Sequence, residues 1–321
     1  MTILVTGASG FVGTALCTAL ARDGIAVRAA LRAYSHGSLL PAAVGLVAVG
    51  EIGPATDWSA ALSGINVVVH LAARAHVFSR RGDRGDELDH VNHLATAAMA
   101  QQAAAAGVRR VVFASSVKVN GEATTEQPYC EDDAPAPEDA YADAKWKAEQ
   151  ALKRLAGALE VVVLRPPLIY GPGVKGNLLR LMKAIARGML LPLASIDNRR
   201  SLLGLDNLVA AITLCISRPA AAGRTYIVSD DEDVSTPQLI RLLAQAMNKP
   251  ARLVPCPVAL LRLGGRLSGN DAAVLRLTGS LQINSGAIRH ELGWKPVMPL
   301  AAGLDHMARW YDQVFRHDTR N

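Results

Sequence analysis

Ile3-Leu4-Val5-Thr6-Gly7-Ala8-Ser9-Gly10-Phe11-Val12-Gly13 stands at the head of the chain. The short apolar run reads as a buried strand, followed by a tight turn that opens directly into a helix. Its three glycines meet separate demands. A turn straight after a strand needs a residue that tolerates unusual φ (Gly7). A backbone that must lie against an anion needs no Cβ (Gly10). A helix packed closely on its strand needs a third small residue (Gly13). The helix start offers unpaired N–H groups to phosphate. Gly7, Ser9, Gly10, Phe11, Val12 and Gly13 are therefore the predicted cradle for a dinucleotide pyrophosphate.

Outward from this turn, apolar strands alternate with Ala-rich helices. Strands are predicted at Met1–Thr6, Ala26–Leu31, Gly45–Val49, Val67–Leu71, Val111–Ser115 and Val161–Leu164. Helices are predicted between them at Gly13–Arg22, Ala60–Leu62, Leu88–Ala106 and Ala142–Leu159. Such βαβ repetition implies an α/β fold, a Rossmann-type doubly wound parallel sheet with helices on both faces. After Arg165-Pro166-Pro167 the pattern loosens. Helices are predicted at Leu178–Gly188, Leu208–Ser217, Pro237–Met247 (capped by Thr236), Ala287–Leu292 and Ala301–Phe315. Arg224–Val228 reads as a lone strand that needs partners. The division expected is a dinucleotide-binding unit over 1–170, with a return segment at about 201–229, and a smaller, mostly helical unit interleaved over 171–321.

The 321 residues are 50% hydrophobic, enough for a large core, and carry a net charge of +6. The basic residues are scattered and only 4% of the chain is aromatic, which argues against nucleic acid and for a ligand bearing several phosphates. No run approaches the roughly 18 uninterrupted apolar residues of a membrane span. The first residues form a strand, not a secretory leader, and Cys17, Cys130, Cys215 and Cys256 make no CxxC, so a reducing, cytoplasmic setting is expected. No His, Cys, Asp and Glu cluster has metal-ligand spacing.

A second signal lies at Tyr141-Ala142-Asp143-Ala144-Lys145. Residues at i and i+4 share a helix face. A phenol is a poor acid–base near neutrality because its pKa is near 10, and an ammonium beside it favours the phenolate. Lys145 can also hold a cofactor ribose. Ser115 and Ser116 follow a strand at its carboxyl end, where ligands bind in such sheets. Ser116 is the predicted donor to the substrate oxygen that Tyr141 serves, with Ser115 the alternative one register away. Hydride transfer at carbon with proton transfer at oxygen is the chemistry implied.

Leu31, Arg32, Glu51 and Ile52 should border the adenosine, and Leu71, Ala72, Ala73 and Ala114 the nicotinamide side. The second strand ends in Leu31-Arg32 rather than a carboxylate, which leans toward NADP, or use of both NAD and NADP. Asn92 either ties its helix to the strand carrying the serines or simply packs.

These residues resemble the extended short-chain dehydrogenase/reductase family, in its NAD-dependent epimerase/dehydratase branch acting on nucleotide sugars. Thr6–Gly13, Gly64–Ala73, Asn92, Ser116, Tyr141–Lys145, Arg165–Pro172 and Glu291–Pro296 carry the resemblance, which spans essentially the whole chain. It implies a Ser116, Tyr141 and Lys145 triad, a nucleoside diphosphate in the smaller unit, and a homodimer packed through two long helices. It also implies cofactor contacts at Pro167 and Leu168. Substrate contacts are implied at Lys118, Asn177, Leu178 and Arg200. Two departures matter. Val117-Lys118 stands where family 4,6-dehydratases carry an acid pair, and Val119-Asn120-Gly121 replaces the usual Val-Tyr-Gly. The strings Ser115–Gly121 and Asn198–Asn207 are most similar to bacterial UDP-4-keto-6-deoxy-HexNAc reductases. The reading is thus C4-keto reduction, with a UDP-sugar 4-epimerase as the alternative and a non-catalytic cofactor-binding regulator as a distant third.

Overall fold

The computed structural model describes residues 1–74, 84–269 and 271–315. Seven strands form one sheet: β1 (Thr2–Thr6), β2 (Ala26–Leu31), β3 (Gly45–Ala48), β4 (Val67–His70), β5 (Arg110–Ala114), β6 (Glu160–Arg165) and, after two short strands described below, β9 (Thr225–Ile227). Their order is β3-β2-β1-β4-β5-β6-β9, and every pairing is parallel. The order reverses between β1 and β4. The carboxyl ends of these two strands therefore open a crevice, with Thr6 in register with His70 across it.

Side chains alternate across the pleat as the two-residue period requires. Ile3, Val5, Val67 and Val69 join one buried cluster with Leu16 and Leu20 of α1 (Phe11–Arg22). Leu4 and Val68 face the other way. They meet Ala61 and Leu62 of α2 (Ser59–Leu62), Met99 of α4 (Ala95–Ala105) and Ala148 of α5 (Ala140–Lys153). A preceding short helix, α3 (Arg84–Leu88), runs into α4 through a π turn over Asp89–Leu94.

The lone strand finds its partner. β9 lies against β6, pairing Val163 with Thr225 and Arg165 with Ile227. Between them the chain builds a two-stranded parallel sheet, β7 (Leu168–Tyr170) with β8 (Leu202–Gly204), that the sequence reading passed over. It also builds α6 (Gly176–Ala186) and α7 (Leu205–Ser217). The later helices are α8 (Thr236–Ala246), α9 (Val258–Leu267), α10 (Asp271–Thr278), α11 (Gly286–Leu292) and α12 (Leu300–Phe315). Met182, Ile240, Leu243, Leu304 and Met307 close a separate core for this smaller helical region.

Some boundaries differ from expectation for physical reasons. α1 begins at Phe11 because Gly10, extended at φ −81°, already serves as its N-cap. α5 stops at Lys153, and the Ala-rich stretch beyond it turns at Gly157, whose φ is +100°. The cap of α8 is Ser235, whose hydroxyl accepts the Gln238 N–H at 3.2 Å. Thr236 instead donates to the Leu277 carbonyl. No helix among the described residues is long and apolar enough to cross a membrane.

Candidate active site

The glycine turn is shaped by close backbone contacts. Gly7 sits at φ +66°, and a Cβ there would lie 2.8 Å from the Ala72 nitrogen. A Cβ on Gly13 would come within 2.2 Å of the Gly7 carbonyl oxygen, so the helix start is folded directly onto the turn. Gly10 closes that turn through its N–H to Gly7 O at 2.9 Å. Its helix has no side-chain cap and no acidic residue in its first turn. Free N–H groups and the positive helix end therefore face the crevice, a good fit for a pyrophosphate.

At the adenosine end the cations are already engaged. Arg28 donates to the carbonyls of Ala60, Ala61 and Ser63 at the end of α2, at 3.3, 2.9 and 2.7 Å. Arg32 pairs with Glu51 at 3.0 Å. Leu31 is buried, Glu51 is exposed and Ile52 packs on the core. A 2′-phosphate approaching Arg32 would thus meet a carboxylate from the next strand end.

The crevice floor is a chain of directed hydrogen bonds. Thr6 Oγ1 accepts from the Ala72 N–H at 3.3 Å and lies 2.8 Å from His70 Nδ1. His70 Nε2 lies 3.0 Å from Thr96 Oγ1, whose own proton goes to the Asn92 carbonyl at 2.8 Å. Thr96 must therefore accept from His70, which places the imidazole proton on Nε2 and leaves Nδ1 to accept from Thr6. Asn92 clasps the loop beside it. Its Oδ1 accepts the Arg74 N–H and its Nδ2 donates to the Arg74 carbonyl. Of the two roles expected for Asn92, the tie to the serine strand is replaced by this clasp, made from within the π turn.

Burial, then the charge of Lys145, hold His70 down at about 3, against 6.5 for a free imidazole. The unfolded chain then binds a proton below about pH 6.5 that the folded chain refuses until about pH 3. This contribution to stability is complete above pH 6.5 and is lost as pH falls toward 3. In urea unfolding, the stability advantage of the native chain over His70→Gln should shrink between pH 7 and pH 5, by up to about 1.4 kcal/mol per unit. A constant difference would contradict a neutral buried His70.

The two serines have different surroundings. The Ser115 hydroxyl is buried and donates to Glu149 Oε1 at 2.5 Å. Glu149 is also gripped by Arg165, at 3.0 Å from Nε and 2.6 Å from Nη2. Ser116 is half-buried, and its Oγ accepts the Lys118 N–H at 3.3 Å. Ser115 is thus occupied inside the fold, and Ser116 is the one left at the strand end. The same wall presents Ala114, whose carbonyl accepts from Lys145 Nζ at 2.7 Å. Lys145 also lies over the Phe113 ring at 4.5 Å.

Burial lowers the Lys145 ammonium to about 7, although Glu149 pulls the other way. Tyr141 departs from expectation. Burial first, and then the Asp139 carboxylate, push its phenol up to about 12. The Lys145 ammonium, for its part, donates to the Ala114 carbonyl.

On the substrate side, Lys118 is held by Glu122 and, at 2.7 Å, by Asp139. Arg200 donates to the Arg276 and Gly279 carbonyls at 2.9 and 3.1 Å. Asn177 is exposed in the uncapped first turn of α6, while the Leu178 side chain is buried in the smaller core and its backbone N–H, in the same turn, has no partner within the helix. Pro167 is buried and Leu168 exposed, directly after β6. Sequence reading missed Arg276, whose guanidinium stands 3.4 Å from Glu122 and 3.7 Å from Asp139. It lies in α10, a helix with no motif to mark it.

Residues 3–229 match the NAD dependent epimerase/dehydratase family. A UDP-glucose 4-epimerase of Vibrio cholerae is 41% identical over 97% of this chain and 96% of its own. The solved structure of MoeE5 in complex with UDP-glucuronic acid and NAD superposes with a TM-score of 0.78 at 25% identity, covering 98% of this chain and all of that one. UDP-glucuronic acid 4-epimerase from Bacillus cereus in complex with NAD reaches a TM-score of 0.82 over 100% of this chain and 99% of its own, a likeness of fold alone at 20% identity. The MoeE5 structure holds NAD, which overturns the lean toward NADP. The physical reason lies in the arginines: Arg28 is spent on carbonyls and Arg32 is neutralised by Glu51.

Proposed function

The chain belongs to the NAD dependent epimerase/dehydratase family, and within it we propose an NAD-dependent 4-epimerase of a UDP-sugar. What supports this reading is the whole-length likeness to a UDP-glucose 4-epimerase. The reductase reading leaned on the likeness of Ser115–Gly121 and Asn198–Asn207 to bacterial keto-sugar reductases and, more modestly, on the missing carboxylate at the end of β2. Glu51, brought beside Arg32 at 3.0 Å, supplies a carboxylate from the next strand instead.

The turn from Gly7 to Gly13 would hold the pyrophosphate. Leu71, Ala72, Ala73 and Ala114 would line the nicotinamide, with Pro167 and Leu168 opposite. NAD supplies a hydride acceptor that can return the hydride to either face of C4. Tyr141 takes the proton from the 4-hydroxyl and later restores it. Ser116 donates a hydrogen bond to that same oxygen. Lys145 would hold the ribose, and its charge, with that of an oxidised nicotinamide, would favour the phenolate against the burial and the Asp139 carboxylate that raise it. Asn177, the Leu178 N–H and Arg200 would receive the diphosphate, joined by Arg276.

The test begins with freshly purified protein, denatured and filtered, read at the absorbance of bound NAD and NADH. Near-stoichiometric NAD, interconversion of UDP-Glc with UDP-Gal or of the N-acetyl pair, and no net cofactor consumption are expected. Little bound cofactor, with stoichiometric loss of reduced cofactor on a UDP-4-keto-6-deoxy-HexNAc, would make the chain a reductase instead.

A further inference from the structure

α9 turns its leucines away from the protein. Leu260, Leu263 and Leu267 recur at i, i+3 and i+7 and so share one helix face. They are 58, 53 and 82% exposed. The opposite face carries the buried Gly265, where a Cβ would fall 2.7 Å from the Val274 side chain of α10. Ordinary surface helices are patterned the other way round, apolar inward and polar outward. The apolar exposure continues in the segments that lead into α9. Met189, Leu190 and Val254 are exposed. Their two segments are joined by the Leu191 N–H on the Arg252 carbonyl at 2.8 Å and the Val254 N–H on the Leu191 carbonyl at 3.0 Å. The charges beside these side chains have one sign. Arg252, Arg262 and Arg266 are exposed. Over residues 234–288 the chain also carries Arg241, Lys249 and Arg276 against a single acid, Asp271, which lies 4.0 Å from Arg266.

Leucine flanked by arginine, with almost no carboxylate, suits the boundary between phosphate headgroups and acyl chains. A second copy of the chain would bring the same cations against one another, with one acid to receive them. At ten residues the helix is about 15 Å long, roughly half the hydrocarbon thickness of a bilayer, so it can lie in that boundary but not cross it. We propose that the α9 face docks the protein onto an anionic phospholipid surface. Its leucines enter the acyl boundary and its arginines meet lipid phosphate. The docked helix is one element away from the candidate site, for it packs on α10, whose Arg276 stands 3.4 Å from Glu122 and 3.7 Å from Asp139. The docking needs neither NAD nor turnover, so it stands apart from the proposed reaction.

The experiment floats the full chain with vesicles of phosphatidylcholine alone or mixed equally with phosphatidylglycerol, at low and at high salt. Three forms are compared: native, the triple variant Leu260→Ser, Leu263→Ser and Leu267→Ser, and the double variant Arg262→Gln and Arg266→Gln. All five side chains are exposed, so the variants should keep the native urea midpoint, which is measured alongside. Native protein should float with the anionic vesicles and not with the neutral ones, and salt should weaken the binding. The triple variant should lose at least about tenfold in binding. The double variant should lose about fivefold per arginine at low salt. No binding to anionic vesicles overturns the proposal. So does binding that the triple variant leaves unchanged, which would place the contact elsewhere on a basic surface. Light scattering supplies a further check: a native dimer that the triple variant dissolves, with no vesicle binding, would make a second copy the occupant and overturn it as well.

Discussion

Tyr141→Phe should lower kcat by about 10³-fold, since a positioned acid–base group contributes roughly 10²–10⁴-fold. NAD binding should change little, because the glycine turn and the crevice floor do not involve the phenol. The substitution removes one oxygen from a half-buried ring on a capped helix, so the fold has little to lose. The effect should fall on kcat more than on KM, as expected when an interaction matters chiefly in the transition state. Calorimetric NAD titration alongside steady-state kinetics separates the two quantities. A variant that retains more than about a tenth of native kcat would fall outside the range for such a group and remove Tyr141 from the proton-transfer step.

Glu149→Met should be the most damaging single change to stability, at about 3–5 kcal/mol. Glu149 is completely buried and receives Ser115 and both ends of the Arg165 guanidinium. Arg165 in turn donates to Asn120 Oδ1 at 3.1 Å, and Asn120 to the Cys130 carbonyl at 3.1 Å. Removing the carboxylate leaves a guanidinium charge inside the protein without its counter-ion. Arg165→Met should cost a similar amount for the converse reason. The double variant should cost clearly less than the sum, because neither charge is then stranded. Urea unfolding of the four forms measures this coupling. Additive losses would mean that the pair is not the buried unit its geometry describes. Glu149 also supports the Lys145 ammonium, so the surviving single variant should hold that lysine less charged.

The sheet was legible because it obeys local rules. Most strands are short apolar runs, the crossover helices α1, α4 and α5 are Ala-rich, and the turn after β1 is marked by the spacing of three glycines. Ser116, Tyr141 and Lys145 could be put forward as candidates from one strand end and one helix face. What escaped depends on contacts distant in sequence. β7 and β8 are three residues each, too short to show a period, and exist because Leu168 can pair with Leu202. The engagement of Arg32 by Glu51 joins the ends of two strands, and periodicity says nothing about it. The sequence placed a guanidinium where a 2′-phosphate would sit and had no means of showing its partner. Arg276 lies in a helix recognisable only from its packing. The phenol of Tyr141 was judged from Lys145 alone, while its threshold also depends on burial and on a cap two residues earlier.

The pairing of β9 with β6 has a consequence for synthesis on the ribosome. When β6 has emerged, its outer edge has no neighbour. That neighbour lies beyond residues 166–224, all of which must be made first. At about 5–20 residues per second this is a delay of roughly 3–12 s. During it a fully apolar edge, Val161-Val162-Val163-Leu164, is open to pairing with another nascent chain. The enzyme's hazard of misassembly is therefore concentrated in one interval of its birth, set by where the smaller region was inserted into the sheet.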